Sequence, residues 1–426
     1  MIKIINCNSK NYKKKLISLL EKRRSDKENV SKIVSKILKD IKKNGNKALL
    51  KYERRLSKNS NIISTKNEIN KAIRKLDQKV QKSLDFAQKK IEDFHKKQLN
   101  NQKNITYIDN LKNKLEYRNT SIQNLGIYCP QGLPTSLLMT ATLARLAKVK
   151  NIVLATPKVN GKLNSAIMYV AKKTGIKSIL NCGGAQAIAA LAYIKKVHKI
   201  VGPSNKWGAE AKRQLSGKTI GTEAAYVGES EICVIADKKT SINQILWSLL
   251  GQSEHSSGAQ SILITKDEDI INKVRKEIPK ALKNLPRKKI ATKSIRNNCI
   301  MIKAKNDKNI IELVNGMIQP EHLEINCKNH RKYSKFIVNA GSIMCGENSA
   351  MVLTDMGVVG TNHILPTHMS VRYSSGLNIN EFKKSISVVT LSKKGLEKIA
   401  NHAITLTEYE QLSAHTQSVL SRVRRK

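Results

Sequence analysis

Asn151–Val201 reads NIVLATPKVNGKLNSAIMYVAKKTGIKSILNCGGAQAIAALAYIKKVHKIV. Apolar runs of strand length alternate in it with helical stretches. NIVLAT (Asn151–Thr156) is strand-like and stops at Pro157, and Asn164–Thr174 carries helical periodicity. Lys177–Leu180 is strand-like again, and Gly183-Gly184 opens the helix AQAIAALAYI. Lys199–Val201 returns to strand, Gly202-Pro203 turns the chain, and a helix runs on through Gln214. Downstream the alternation resumes, with strands at Glu231–Ala236 (EICVIA) and Ser261–Thr265 (SILIT) on either side of a helix near Ser241–Leu250. A further amphipathic helix follows SILIT. Such alternation implies an α/β chain of parallel sheets with helices on both faces, and there is enough of it for two sheets.

Toward the N terminus the pattern becomes helical. SKIVSKILKDIKK (Ser31–Lys43) puts Ile33, Val34, Ile37, Leu38 and Ile41 on one face, and Asn44-Gly45 stops it. Asn70–Gln98 repeats the pattern with heavy surface charge, and the chain returns to helix from Glu381 onward. No internal repeat or low-complexity linker interrupts it. A length of 426 residues exceeds the roughly 250–300 that one core serves, so at least two domains are expected.

The hydrophobic fraction of 40% supports globular cores, but aromatics at 4% leave them to Ile, Leu, Val and Ala. The 78 Lys+Arg against 32 Asp+Glu give a net charge of +46. That charge suits a nucleic-acid or anionic-membrane partner. Yet lysine is scattered, as in Lys13-Lys14-Lys15 and Lys172-Lys173, amid abundant Asn and Ile. No basic stripe is interleaved with aromatics for stacking bases. Compositional drift explains the charge better, and no nucleic-acid partner is expected. The seven cysteines are odd in number and none has CxxC spacing. The opening MIKIINCNSK lacks a secretory h-region, and no apolar run reaches the ~18 residues of a membrane span. A cytoplasmic protein with free thiols and no membrane partner is therefore expected.

Four of the nine histidines, His255, His322, His363 and His415, sit in polar, turn-rich settings. Gln252 and His255 are three apart at a helix end and share a face. With Asp355 in the turn-like LTDMG they make a nitrogen and oxygen set without thiolate, suited to zinc and also to manganese or cobalt. Glu321-His322 after Pro320 serves two readings equally: an acid and imidazole reaching one pocket from an irregular turn, or a helix N-terminus. Glu410 and His415, five apart, would lie ~140° apart on one helix. Gly183-Gly184, between strand and helix, can receive an anion such as a pyrophosphate, and Asn205 at the next such turn can equally be a helix cap.

Five segments, taken in order, resemble histidinol dehydrogenase: GGAQAIAALA (Gly183–Ala192), GQSEHSS (Gly251–Ser257), QPEHLEI (Gln319–Ile325), GTNHILPT (Gly360–Thr367) and EYEQLSAH (Glu408–His415). The resemblance implies two incomplete Rossmann-like, doubly wound parallel-sheet domains with helical N- and C-terminal extensions, in an intertwined homodimer. It divides the chain into an extension (1–22), a larger discontinuous domain (23–127 and 232–377), an NAD-side domain (128–231) and a C-terminal extension (378–426) reaching the partner subunit. It implies zinc-dependent oxidation of L-histidinol through L-histidinaldehyde to L-histidine with two NAD, the last steps of histidine biosynthesis. A related zinc and NAD alcohol dehydrogenase with another substrate, and a lapsed paralogue binding nucleic acid, are the alternatives. Carried over by motif, one zinc per subunit would be held by Gln252, His255, Asp355 and His415. His322 would be the general base, and Glu321 would activate water in the second oxidation. Ser230, His363 and Glu410 complete the substrate pocket, and Tyr128, Gln186 and Asn205 contact NAD. The chain departs from the family pattern at Pro130-Gln131-Gly132, at Gly202-Pro203-Ser204-Asn205 and at Tyr226-Val227-Gly228-Glu229, and Asp355 to His363 is one residue longer.

Overall fold

The computed structural model describes residues 2–24, 30–99, 104–158, 160–223 and 228–423. In chain order its strands are β1 (Lys3–Asn6), β2 (Ile105–Ile108), β3 (Lys114–Ser121), β4 (Asn124–Tyr128), β5 (Asn151–Ala155), β6 (Ser178–Leu180) and β7 (Lys199–Val201). There follow β8 (Gly221–Thr222), β9 (Glu231–Ala236), β10 (Gln260–Thr265), β11 (Cys299–Lys303), β12 (His322–Asn326), β13 (Ser342–Cys345) and β14 (Lys383–Thr390). The chain divides into two compact units, Met1–Lys97 with Ile122–Phe382, and Gln98–Ser121 with Lys383–Lys426.

The first unit holds two parallel sheets, ordered β1-β11-β10-β9-β12-β13 and β6-β5-β4-β7-β8. Every residue of β9 and β10 is buried, because helices cover both faces of the sheet. Their side chains divide by alternation. Cys233, Ile235, Ile262 and Ile264 join Leu16 and Leu20 of the Tyr12–Arg24 helix in one core. Ile232, Val234 and Leu263 join the Ile242–Ser253 and Glu268–Lys283 helices in another. The strand and helix alternation read from Asn151 onward is present throughout.

The structure departs from several of these readings. Lys3–Asn6, placed in a helical extension, is an edge strand parallel to β11. The Val30–Ser57 helix, assigned to the larger domain, packs instead with Tyr128, Leu180 and the helix after Gly183 on the five-stranded sheet. That helix does break at Gly45, where the backbone turns to φ 51°, but Ile33 faces solvent. The expected boundary at 127/128 runs through β4.

The second unit is a small antiparallel sheet, β14-β3-β2, with the Lys393–Tyr409 and Ser413–Val423 helices packed on each other. β14 replaces the helix expected from Glu381: KKSISVVT alternates β-branched and polar residues, which suits a strand. Few of its side chains are buried. Ile105, Tyr107, Tyr117, Val389, Leu406 and Tyr409 are all more than half exposed. No helix among the described residues is long and apolar enough to cross a membrane.

Candidate active site

The candidate residues of the first unit collect at the amino-terminal edge of the six-stranded sheet. β9 and β12 are neighbours there, with His322 opposite Ile232. Glu231, directly after Ser230, begins β9, and His322 begins β12. Glu321 lies just outside the strand, after Gln319 in a left-handed conformation (φ 52°) and Pro320. Strand alternation therefore does not separate Glu321 from His322, and Glu321 Oε2 stands 3.5 Å from His322 Nδ1. The helix-N-terminus reading of PEHL falls away, since the segment enters a strand.

Gln252 occupies the last turn of the Ile242–Ser253 helix, which runs back to this edge. His255 was expected on the same helix face. It lies beyond the helix end instead, in a turn closed by its N–H to the Gln252 carbonyl (3.2 Å). Asp355 ends the short Met351–Asp355 helix, which packs against the first. Two helix C-termini thus point into the site. His255 Nε2 is 3.7 Å from Asp355 Oδ2, and His322 Nε2 is 3.3 Å from Asp355 Oδ1.

The proton positions follow from the partners. His322 Nδ1 lies 3.1 Å from the Glu231 carbonyl, which only accepts, so Nδ1 carries the hydrogen. Nε2 is the atom left to exchange a proton. Burial works against a charged His322 ring, but Glu321 and Asp355 outweigh it and raise its pKa well above the usual value. The two carboxylates therefore favour the imidazolium as long as no cation neutralises Asp355. Burial pushes Glu321 up. Burial would raise Asp355 as well, but the His322, His363 and His255 rings overcome it and hold the carboxyl below its ordinary range.

His363, expected in the substrate pocket, has both ring nitrogens engaged. Nδ1 donates to the Asp355 carbonyl (2.6 Å), and Nε2 meets Ser136 Oγ (2.7 Å) on the Pro134–Leu146 helix. In this state it braces Asp355. Ser230 and His255 line a cavity of about 860 Å³. Pro130, Pro203 and Asn205, at the carboxyl ends of β4 and β7, line it from the five-stranded sheet. His322, Asp355 and Gln252 are buried.

Two of the residues expected to contact NAD make internal hydrogen bonds. Tyr128 is buried, its hydroxyl accepting from the Gly184 N–H (3.1 Å). The buried Gln186 amide donates to Glu53 Oε1 (2.9 Å), which also accepts from Gly183 N–H (3.2 Å). They hold the Gly183-Gly184 turn from beneath. Asn205 caps the Lys206–Leu215 helix through Trp207 and Gly208 N–H. Gly202 sits at φ 117°, where an added Cβ would drive into the Tyr128 carbonyl oxygen. Tyr226 and Val227 of the altered YVGE segment lie outside the described residues.

Glu410 and His415 belong to the second unit and are exposed. They do not share a helix as expected: Gln411 at φ 60° breaks the chain between the two C-terminal helices. Sequence reasoning missed Ser136, Glu53, Arg23 and Glu231. Arg23 lies in the charged run EKRRSDKE, which resembles a solvated surface.

A divalent cation fits the donors of the first unit. Both atoms of the Gln252 side-chain amide are buried with no hydrogen-bond partner. His255 Nε2 and Asp355 Oδ2, 3.7 Å apart, are near enough to serve as donors to one cation. Among the described residues no three His, Cys, Asp or Glu side chains close on a common ion.

The family profile of histidinol dehydrogenase matches residues 20–423. The chain is 48% identical over 433 aligned residues to the histidinol dehydrogenase of Pelagibacter ubique (strain HTCC1062), covering all of both chains. It is 36% identical to histidinol dehydrogenase 1 of Nostoc sp. (strain PCC 7120 / SAG 25.82 / UTEX 2576), over 99% of this chain and 98% of that one. The crystal structure of histidinol dehydrogenase from Elizabethkingia anophelis superposes with a TM-score of 0.89 at 31% identity, over 99% of this chain and 98% of that one.

The chain belongs to the histidinol dehydrogenase family. It is an NAD-dependent oxidoreductase of histidine biosynthesis. The family's fold, parallel α/β sheets with helical extensions, is the one described above. The basic charge thus sits on an enzyme scaffold.

Proposed function

We propose that the chain oxidises L-histidinol through L-histidinaldehyde to L-histidine, with one zinc per subunit and two NAD per turnover, in a cytoplasmic homodimer whose sites are shared. Support for the site comes first from the pairing of His322 Nε2 with Asp355, because it places the one exchangeable imidazole nitrogen beside a proposed metal ligand. Gln252, His255 and Asp355 would hold zinc, with the partner subunit's His415 as fourth protein ligand. Zinc there would act as a Lewis acid that orients the amino alcohol and favours loss of its hydroxyl proton. The cleft that Pro130, Pro203 and Asn205 line would hold NAD, which supplies the acceptor for the hydride lost by the substrate's carbinol carbon.

The chain's own residues do the proton work. His322 Nε2 takes the hydroxyl proton, and its Nδ1–H keeps the ring oriented on Glu231. Glu321, raised by burial, takes a proton from the water that adds to the aldehyde. Ser230 borders the pocket, His363 fixes Asp355, and the partner subunit's Glu410 would receive the imidazole N–H of the substrate. Tyr128 and Gln186 shape the turn above Glu53, and Asn205 meets the cofactor. Dimerisation accounts for the second unit: apolar residues such as Tyr107, Tyr117, Val389 and Leu406 are too exposed to be left to solvent.

The test is NADH formation by purified, zinc-loaded protein with L-histidinol, at two NADH per substrate consumed. Folded, zinc-bound dimer that makes no NADH would end the proposal. A panel of non-imidazole amino alcohols at matched concentration separates histidinol from another substrate.

A further inference from the structure

Both proposed catalytic residues are held by the main chain of a single residue, Glu231. The Glu231 N–H donates to Glu321 Oε2 (2.8 Å), and the Glu231 carbonyl receives His322 Nδ1 (3.1 Å). Whatever fixes the main chain at Glu231 therefore sets the orientation of both side chains. That anchor comes from the first helix of the chain. Arg23 forms a buried ion pair with the Glu231 carboxylate, whose Oε1 also accepts the His368 N–H (3.3 Å). The rest of the guanidinium grips the flanking chain: Nη2 donates to the Glu229 carbonyl (2.7 Å) and, more weakly, to Ser230 (3.4 Å), and Nε donates to Gly258 (2.9 Å). Leu16 and Leu20 of the same helix are sunk in the core of the six-stranded sheet, so the fork has a rigid base.

A buried ion pair is poor evidence for stability, since desolvating two charges consumes most of what their attraction returns. Three donors aimed at four acceptors around the starts of β9 and β10 are better explained as positioning. We propose that Arg23 is a positioning residue for the reaction, acting through Glu231 to hold His322 in its Nδ1–H tautomer and Glu321 in reach of the same site. The inference rests on the roles given to His322 and Glu321 above. Lysine cannot replace arginine here, because a single ammonium lacks the planar fork that reaches Glu231, Glu229 and Gly258 together.

The test uses the zinc-loaded full chain with Arg23→Gln and Arg23→Lys, followed by kcat and KM for L-histidinol, zinc content, dimer mass, and the imidazole ¹⁵N shifts of His322. Those shifts are assigned by their loss in His322→Asn. With zinc and dimer intact, both variants should lose at least tenfold in kcat while KM stays within about threefold, and the His322 signals should move from a fixed tautomer to a mixture. Folded variants with kcat within twofold of the parent, or with His322 shifts unchanged, would overturn it. So would a loss of activity that only tracks lost zinc, or failure of both variants to fold, since each leaves Arg23 a structural residue. An active His322→Asn would instead sink the underlying assignment of the base, independently of Arg23.

Discussion

His255 Nε2 and Asp355 Oδ2 face each other across 3.7 Å, although one follows a helix near the middle of the chain and the other ends a helix a hundred residues later. The separation lets the two side chains serve one divalent cation. The Gln252 amide, buried and without a hydrogen-bond partner among the described residues, would supply a further donor.

Removing the metal should therefore abolish activity reversibly. Dialysis against a chelator is expected to cut NADH formation at least a hundredfold, and added zinc should restore it. Asp355→Asn should lower zinc occupancy as measured by elemental analysis. Full zinc and full turnover in that variant would remove Asp355 from the ligand set.

His322→Asn should keep its zinc and lose about 10²–10⁴ in kcat, the range for a missing general base. Glu321→Gln should impair oxidation of the aldehyde more than that of the alcohol, assayed separately with each substrate. Equal damage to both steps would contradict the water-activating role.

Gly202→Ala confronts both a φ of 117° and the Tyr128 carbonyl. A loss of about 1–3 kcal/mol is expected from such local strain, read as a lower urea midpoint. Because Gly202 neighbours the cleft residues, KM for NAD should rise more than KM for histidinol.

Asp307 receives Lys266 (2.6 Å), the Tyr333 hydroxyl (2.7 Å) and Lys332 (3.2 Å). The Lys266 and Tyr333 hydrogen bonds, against a smaller burial effect, hold its carboxyl below the usual range. A depressed carboxylate stabilises the fold above its unfolded pKa of about 4. That contribution disappears as pH falls through the folded value. Asp307→Asn should lower Tm by about 2–4 °C at pH 7, and the gap to the parent should close as pH falls below about 4. A constant gap down to pH 2 would refute the assignment.

If sites are shared, His322→Asn and His415→Ala chains, each nearly inactive, should regain activity when dissociated and reassociated together. Recovery of up to about a quarter of parental activity per chain is the statistical ceiling for one repaired site in each mixed dimer. Inactive mixed dimers, verified by mass, would place His415 in its own subunit's chemistry or outside it.

The legibility of this chain differs sharply between its parts. EICVIA and SILIT could be read directly because strands buried on both faces are continuous apolar runs. The hairpin Ile105–Ser121 was missed because its strands are largely exposed and their polar residues mimic a loop. The site was legible only in fragments. Gln252 and His255 are close in sequence, but Asp355 reaches them through packing of two helices that no spacing predicts. Family resemblance supplied that link. Arg23 was hidden because a buried arginine in a basic run looks like its solvated neighbours, and its role depends on acceptors more than two hundred residues away.

The helix ends at this site also set its electrical sign. Backbone carbonyls from the last turns of Ile242–Ser253 and Met351–Asp355 present the negative ends of their dipoles, about 0.3–1 kcal/mol per favourably placed charge. A cation is drawn toward such a surface. The backbone itself therefore adds to the pull that the Asp355 carboxylate exerts on any positive charge seated there, before a single ligand bond is made.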